Sequence, residues 1–149
     1  MGSSSVRFDP EKLGALMEKH EHTSYTLAEE MGTPYKTVWS WRTGESTPSL
    51  ESLAILVDHL ECNPQDLMAI ERGQETLSDL RNIALLSSLD VANFLDVSRS
   101  TYNALERGQL RLSSERSAML AIAFSVDRVN VERAWRKSRK QWNNQQKNR

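Results

Sequence analysis

The chain has almost no cysteine. Cys62 is its one thiol, so no disulfide can close within it, and this usage suits a reducing cytoplasm. No apolar run approaches the length needed to cross a bilayer, and a membrane role is not expected. The opening Met1-Gly2-Ser3-Ser4-Ser5 lacks the apolar segment of a signal peptide and reads as a tag remnant or an unstructured native start. No stretch alternates apolar and polar residues as a half-buried strand does, which predicts an all-α chain. Ser/His/Asp sets, paired carboxylates and glycine-rich phosphate loops are also missing, so no catalysis and no cofactor are expected. Cys62, His20, His22 and His59 have no recognised metal-ligand spacing, and no metal site is assigned. His20 and His22 fall at a predicted helix end, where imidazoles cap free carbonyls.

Neither sign of charge prevails: 19 basic against 20 acidic residues give −1. The distribution is uneven, however. Residues 128–149 hold eight Lys and Arg against Glu132 alone, a net +7 that leaves −8 elsewhere. With 38% hydrophobic residues, one large buried core is not expected, and the length suits one domain or two small ones.

What the sequence does contain is an internal repeat. A shift of 64 residues superposes the halves without a gap. Leu13 and Leu16 fall on Leu77 and Leu80, Leu27-Ala28 on Val91-Ala92, and Met31 on Leu95. Thr37 falls on Thr101, Val38 on Tyr102, Trp41 on Leu105 and Gly44 on Gly108. Core type and glycine position are kept while identity is not, which reads as two copies of one small helical unit.

Capping residues mark the helices. In the first copy, Asp9-Pro10 opens one that runs to about His20, and Thr23 caps a second through Met31. A third, from Pro34 to Gly44, turns Val38 and Trp41 inward. Ser49 caps a fourth over 50–60, and Pro64 opens a fifth through Leu67 and Ile70. The second copy predicts helices near 77–86, 88–95, 99–106 and 114–125. The expected organisation is a disordered or tag-derived stretch 1–8, domains over 9–72 and 76–128, a linker at 73–75, and a basic C-terminal helix over 129–149.

The sharpest stretch is Leu95–Gly108. Ser98 suits an N-cap, Tyr102 and Leu105 face inward, and Arg99, Ser100 and Asn103 face outward. Arg and Asn suit guanine and adenine edges in a major groove, while the same features also suit an ordinary capped surface helix.

The two stretches Thr23–Leu53 and Ser88–Gly108 resemble the Cro and lambda-repressor (XRE-type) helix-turn-helix domain. The resemblance is carried by Leu27-Ala28, Gly32-Thr33-Pro34, Val38, Trp41-Arg42-Thr43-Gly44 and Pro48-Ser49-Leu50-Glu51 in the first. In the second it is carried by Val91-Ala92, Val97-Ser98-Arg99-Ser100-Thr101-Tyr102 and Leu105-Glu106-Arg107-Gly108. Asp96 stands where that family usually has a turn glycine. The resemblance implies two tandem five-helix domains, with the third helix of each in the major groove of double-stranded DNA. By position, base contacts would fall to Tyr35, Lys36 and Ser40, and to Arg99, Ser100 and Asn103. Phosphate contacts would come from Thr23, Ser24, Arg42 and Thr43, and from Ser87, Ser88, Arg107 and Arg111.

Trp39 aligns with Asn103 and suits either a sugar or thymine-methyl contact or a protein interface. In the tail, Val131, Trp135 and Trp142 form one helical stripe ringed by Arg133, Arg136, Lys137, Arg139 and Lys140. The tryptophans could pack on the second domain or on a second copy as a homodimer contact. The charges at Arg136, Lys137, Arg139 and Lys140 could instead hold DNA phosphate. The implied function is a transcriptional regulator, a repressor of bacterial or mobile-element type. The alternative, motivated by the acidic body and Trp39, is a protein-interaction module such as an antiactivator or antitoxin.

Overall fold

Asp9 and Pro10 begin the first helix for complementary reasons. The Asp9 carboxylate accepts the Glu11 N–H at 3.0 Å, and Pro10 occupies a first-turn position that needs no N–H. In the computed structural model, which describes residues 6–148, this helix is α1, Pro10–Lys19. It is followed by α2 (Ser24–Met31), α3 (Tyr35–Thr43), α4 (Leu50–His59) and a 3-10 turn (Pro64–Leu67). These elements form one unit that ends at Ala69. Leu13, Met17, Leu27, Val38, Trp41, Leu53, Leu56 and Leu60 fill its core.

Two features of this unit depart from the sequence expectation. Pro64 starts a single 3-10 turn rather than a helix reaching Ile70. The chain becomes extended at Met68 to pair antiparallel with Phe8, through Asp9 N–H to Leu67 O and Ala69 N–H to Arg7 O, both 2.8 Å. That same pairing orders residues 6–8, which the sequence assigned to a disordered start. Val6 is buried, and the Lys12 ammonium donates to Met68 O at 2.7 Å. Met1–Ser5, the possible tag remnant, lie outside the described residues.

The second unit, from Ile70 onward, contains α5 (Leu77–Ile83), α6 (Ser88–Leu95), α7 (Arg99–Glu106), α8 (Ser114–Phe124) and α9 (Arg128–Lys147). Helix α5 stops short of the predicted residue 86 because Leu85 turns left-handed (φ 59°) and the Leu86 N–H closes onto Arg81 O. The basic helix is not a detached tail. Val131 and Ala134 belong to the same core as Leu80, Tyr102, Leu105 and Leu120. Ser138 Oγ accepts the Leu77 N–H at 3.1 Å, so α9 also satisfies a free donor at the start of α5. The described residues are all-helical apart from the isolated Phe8–Met68 bridge, and none of their helices is long and apolar enough to cross a membrane.

Candidate nucleic-acid interface

Each unit contains a short helix, a tight corner and a second short helix. In the first, Gly32 ends α2 in the left-handed region (φ 67°), and the Thr33 N–H donates back to Ala28 O at 3.0 Å. In the second, Asp96 ends α6 at φ 58°, and the Val97 N–H donates to Ala92 O, also at 3.0 Å. These are the same hydrogen bonds 64 residues apart. The left-handed strain that glycine relieves in one corner is borne by a non-glycine residue in the other.

The first helix of each pair begins with a reciprocal cap. Thr23 Oγ1 accepts the Thr26 N–H and Thr26 Oγ1 accepts the Thr23 N–H. Ser87 Oγ accepts the Asp90 N–H and Asp90 Oδ2 accepts the Ser87 N–H, each at 3.0 Å. The backbone and hydroxyl of Ser87 hold the Asp90 carboxyl below its ordinary pKa, because both favour the charged form. Ser24 is half-buried in the first turn of α2.

On α3, Tyr35, Lys36, Trp39, Arg42 and Thr43 are exposed. Ser40 is not a free reader: its hydroxyl donates to Thr37 O at 2.7 Å and lies 2.5 Å from Ser46 Oγ. Arg42 folds back over α1, its guanidinium within 3.4 Å of the space a side chain at Gly14 would fill. Tyr25, which sequence reasoning passed over, is 70% exposed and stacks on Tyr35 with ring centroids 4.4 Å apart. The signal available in the sequence was the repeat, which sets Tyr25 against Leu89, so that a large apolar side chain occupies this helix position in both copies.

On α7, Arg99 and Ser100 are exposed, and the Ser98 hydroxyl accepts the Thr101 N–H. Arg99 Nε donates to Ser88 Oγ at 3.2 Å. Ser88 is only 3% exposed, so it braces Arg99 against α6 rather than standing open to a phosphate. Asn103 is half-buried with Oδ1 enclosed and unpartnered, so its amide does not present the two-atom edge that adenine pairing needs.

Behind α7 lies a cluster the sequence reading did not assemble. Glu106 is buried and receives Arg81 Nε at 2.6 Å and the Tyr102 hydroxyl at 2.9 Å. Burial opposes the Arg81 charge, but the hydrogen bond and charge of Glu106 outweigh it and raise the guanidinium pKa. Burial pushes the Tyr102 phenol well above its usual value, with Glu106 adding to the effect, so the hydroxyl stays a donor. Arg81 Nη1 also reaches Leu86 O at 2.9 Å, which ties α5 to the loop before α6. The available sign was Arg81 standing in the register that Met17 fills in the first half.

The tryptophans of α9 pack within their own unit. Trp135 Nε1 donates to Leu110 O at 3.1 Å, and Arg139 lies 5.3 Å over its ring. Trp142 lies under Arg107 at 5.5 Å. At Gly108 the φ is +83°, and an added Cβ would collide with the Arg139 backbone, so the loop after α7 touches α9. This brings Arg107 and Arg139 to one edge. Arg111, Arg136 and Lys140 are exposed, while Lys137 is half-buried and donates to Gln74 Oε1 at 2.8 Å.

Burial, and to a lesser degree Asp66, raises the Cys62 thiol pKa. His22 and His59 converge on Glu30 at 3.5 and 3.6 Å, but among the described residues no group of three ligating side chains could hold a metal.

Among known proteins, residues 12–73 match the model of the Cro/C1-type HTH DNA-binding domain, from α1 through the 3-10 turn to the turn at Gly73. No curated protein and no solved structure matches the chain.

Proposed function

We propose that the chain is a sequence-specific, double-stranded-DNA-binding transcriptional regulator, a repressor, that reads DNA with α2–α3 and α6–α7. The observation that carries this reading is where the carboxylates are not. Residues 6–69 hold five basic and eleven acidic side chains, yet α3 has Lys36 and Arg42 and no acid. Helix α7 has Arg99, and its only carboxylate, Glu106, is enclosed with Arg81. Each second helix thus presents a cation, Lys36 or Arg99, and no open carboxylate to a phosphate-lined groove, in a chain whose net charge is −1.

Lys36 and Arg99 are the polar base readers of this account, with Ser100 beside Arg99. Thr23, Ser24, Thr43 and Ser87 stand at helix ends suited to phosphate, as do Arg107 and Arg111 after α7. Arg136, Arg139 and Lys140 add non-specific attraction. One chain then carries both readers, and a homodimer would double the site.

The test is a salt series on duplexes selected by the protein from genomic DNA. Lys140→Ala is expected to weaken all duplexes alike and to reduce the log–log salt slope by about 1. No duplex binding at low salt, together with tight recovery of a protein partner from the host, would overturn the reading in favour of a protein-interaction module.

A further inference from the structure

The two second helices offer different chemistry, and the difference identifies what the first unit reads. Position by position, Tyr25, Tyr35 and Trp39 stand where the second unit has Leu89, Arg99 and Asn103. Tyr35 and Trp39 lie one turn apart on α3 and are 38% and 42% exposed. Tyr25 stacks on Tyr35 and steadies its ring. Ser40, beside Lys36 on this face, spends its hydroxyl on Thr37 and Ser46 and leaves Lys36 as its polar reader. The face is therefore a pair of aromatic rings flanked by Lys36, with Arg42 one turn beyond.

Resting on the DNA-binding reading, we infer that Tyr35 and Trp39 make the first unit a reader of thymine through its C5-methyl group. In the major groove the base edges are donors and acceptors throughout, and thymine's methyl is the one apolar feature. A face with two aromatic rings and few free hydrogen-bonding atoms gains most from covering that methyl. Each ring ends in a single polar atom, the Tyr35 hydroxyl or Trp39 Nε1–H, which suits the O4 acceptor beside the methyl. A protein partner of acidic character would also meet Lys36 and Arg42. However, α3 is a short helix with no carboxylate of its own, and it lies in the segment matched to a DNA-binding domain, which favours duplex DNA. The second unit, with Arg99, reads guanine. The full site should therefore pair a thymine-bearing segment with a guanine-bearing one.

The experiment replaces each thymine of a selected duplex, one at a time, by deoxyuracil, which removes only the methyl. Burying one methyl corresponds to about a fourfold change in affinity. Wild type is expected to lose about that much at one or two positions. Trp39→Ala or Tyr35→Ala should abolish the difference there, and Trp39→Phe should retain it. Arg99→Ala should leave it intact. Trp39 has no ring partner among the described residues, so Trp39→Ala should stay close to the wild-type melting temperature, whereas Tyr35→Ala gives up its stack on Tyr25 and is compared at a temperature where both proteins are folded. Equal binding of thymine and uracil duplexes overturns the inference and leaves the DNA-binding reading standing. So does equal competition by a single strand, which would point to base stacking, or loss of self- or partner association in Trp39→Ala without change in DNA binding. Failure to bind any selected duplex overturns both.

Discussion

Glu106 shows how much one side chain can bear. Its carboxylate lies enclosed between α5 and α7, with Arg81 and the Tyr102 hydroxyl on it. Removing one member of such a set leaves the other's charge buried, which costs about 3–5 kcal/mol. Glu106→Gln should therefore lower second-unit stability by about 3 kcal/mol in a urea titration. The double change Arg81→Met with Glu106→Leu should cost less than either single change, since no charge is left behind. Gly108 is the second such position. An alanine there must hold φ +83° and clash with the Arg139 backbone. Gly108→Ala should cost about 2 kcal/mol or more and shift tryptophan emission as Trp142 is exposed. The cluster was hard to read in sequence. Arg81 beside Leu80 looks like any surface arginine until the repeat places it in Met17's core register. The Gly108 contact was not legible at all, because it depends on where a helix thirty residues later comes to rest.

At the scale of elements, caps decide the boundaries. Asp9, Thr23, Ser49, Thr76, Ser87, Ser98 and Ser113 each accept a backbone N–H at a helix start. This local chemistry is written in the sequence, which is why α6 and α7 fall where their caps predict. The departure has a non-local cause: the 3-10 turn yields to strand pairing with Phe8. The stripe of Val131 and Trp135 was legible as a packing face of α9, but the sequence left open whether it meets its own unit or a second copy. The α6 cap also carries a pH dependence. Because the folded state holds the Asp90 carboxyl below its ordinary pKa, its contribution is complete at neutral pH and is lost as pH falls through the folded value. Asp90→Asn should thus lower the urea midpoint at pH 7. The gap should close well below the unfolded carboxyl's pKa of about 4. An equal gap at both ends of that range would contradict the assigned role of the cap.

At the scale of the molecule, charge is sorted by unit: residues 6–69 have a net −6 and residues 70–149 a net +5. The segment that matches the DNA-binding domain model lies almost wholly in the acidic half, and the cations of α9 lie in the other. In this account the second unit supplies most of the salt-dependent attraction, and α3 contributes discrimination more than affinity. The central claim is sequence-specific duplex binding through α7 and α3. The most direct test is the ratio of dissociation constants for a selected duplex and a shuffled duplex of equal length, at one salt concentration. The account predicts a ratio of about a thousandfold or more for the wild type. Arg99→Ala should reduce it by about tenfold or more. Equal affinity for the two duplexes, unchanged by Arg99→Ala, would contradict it.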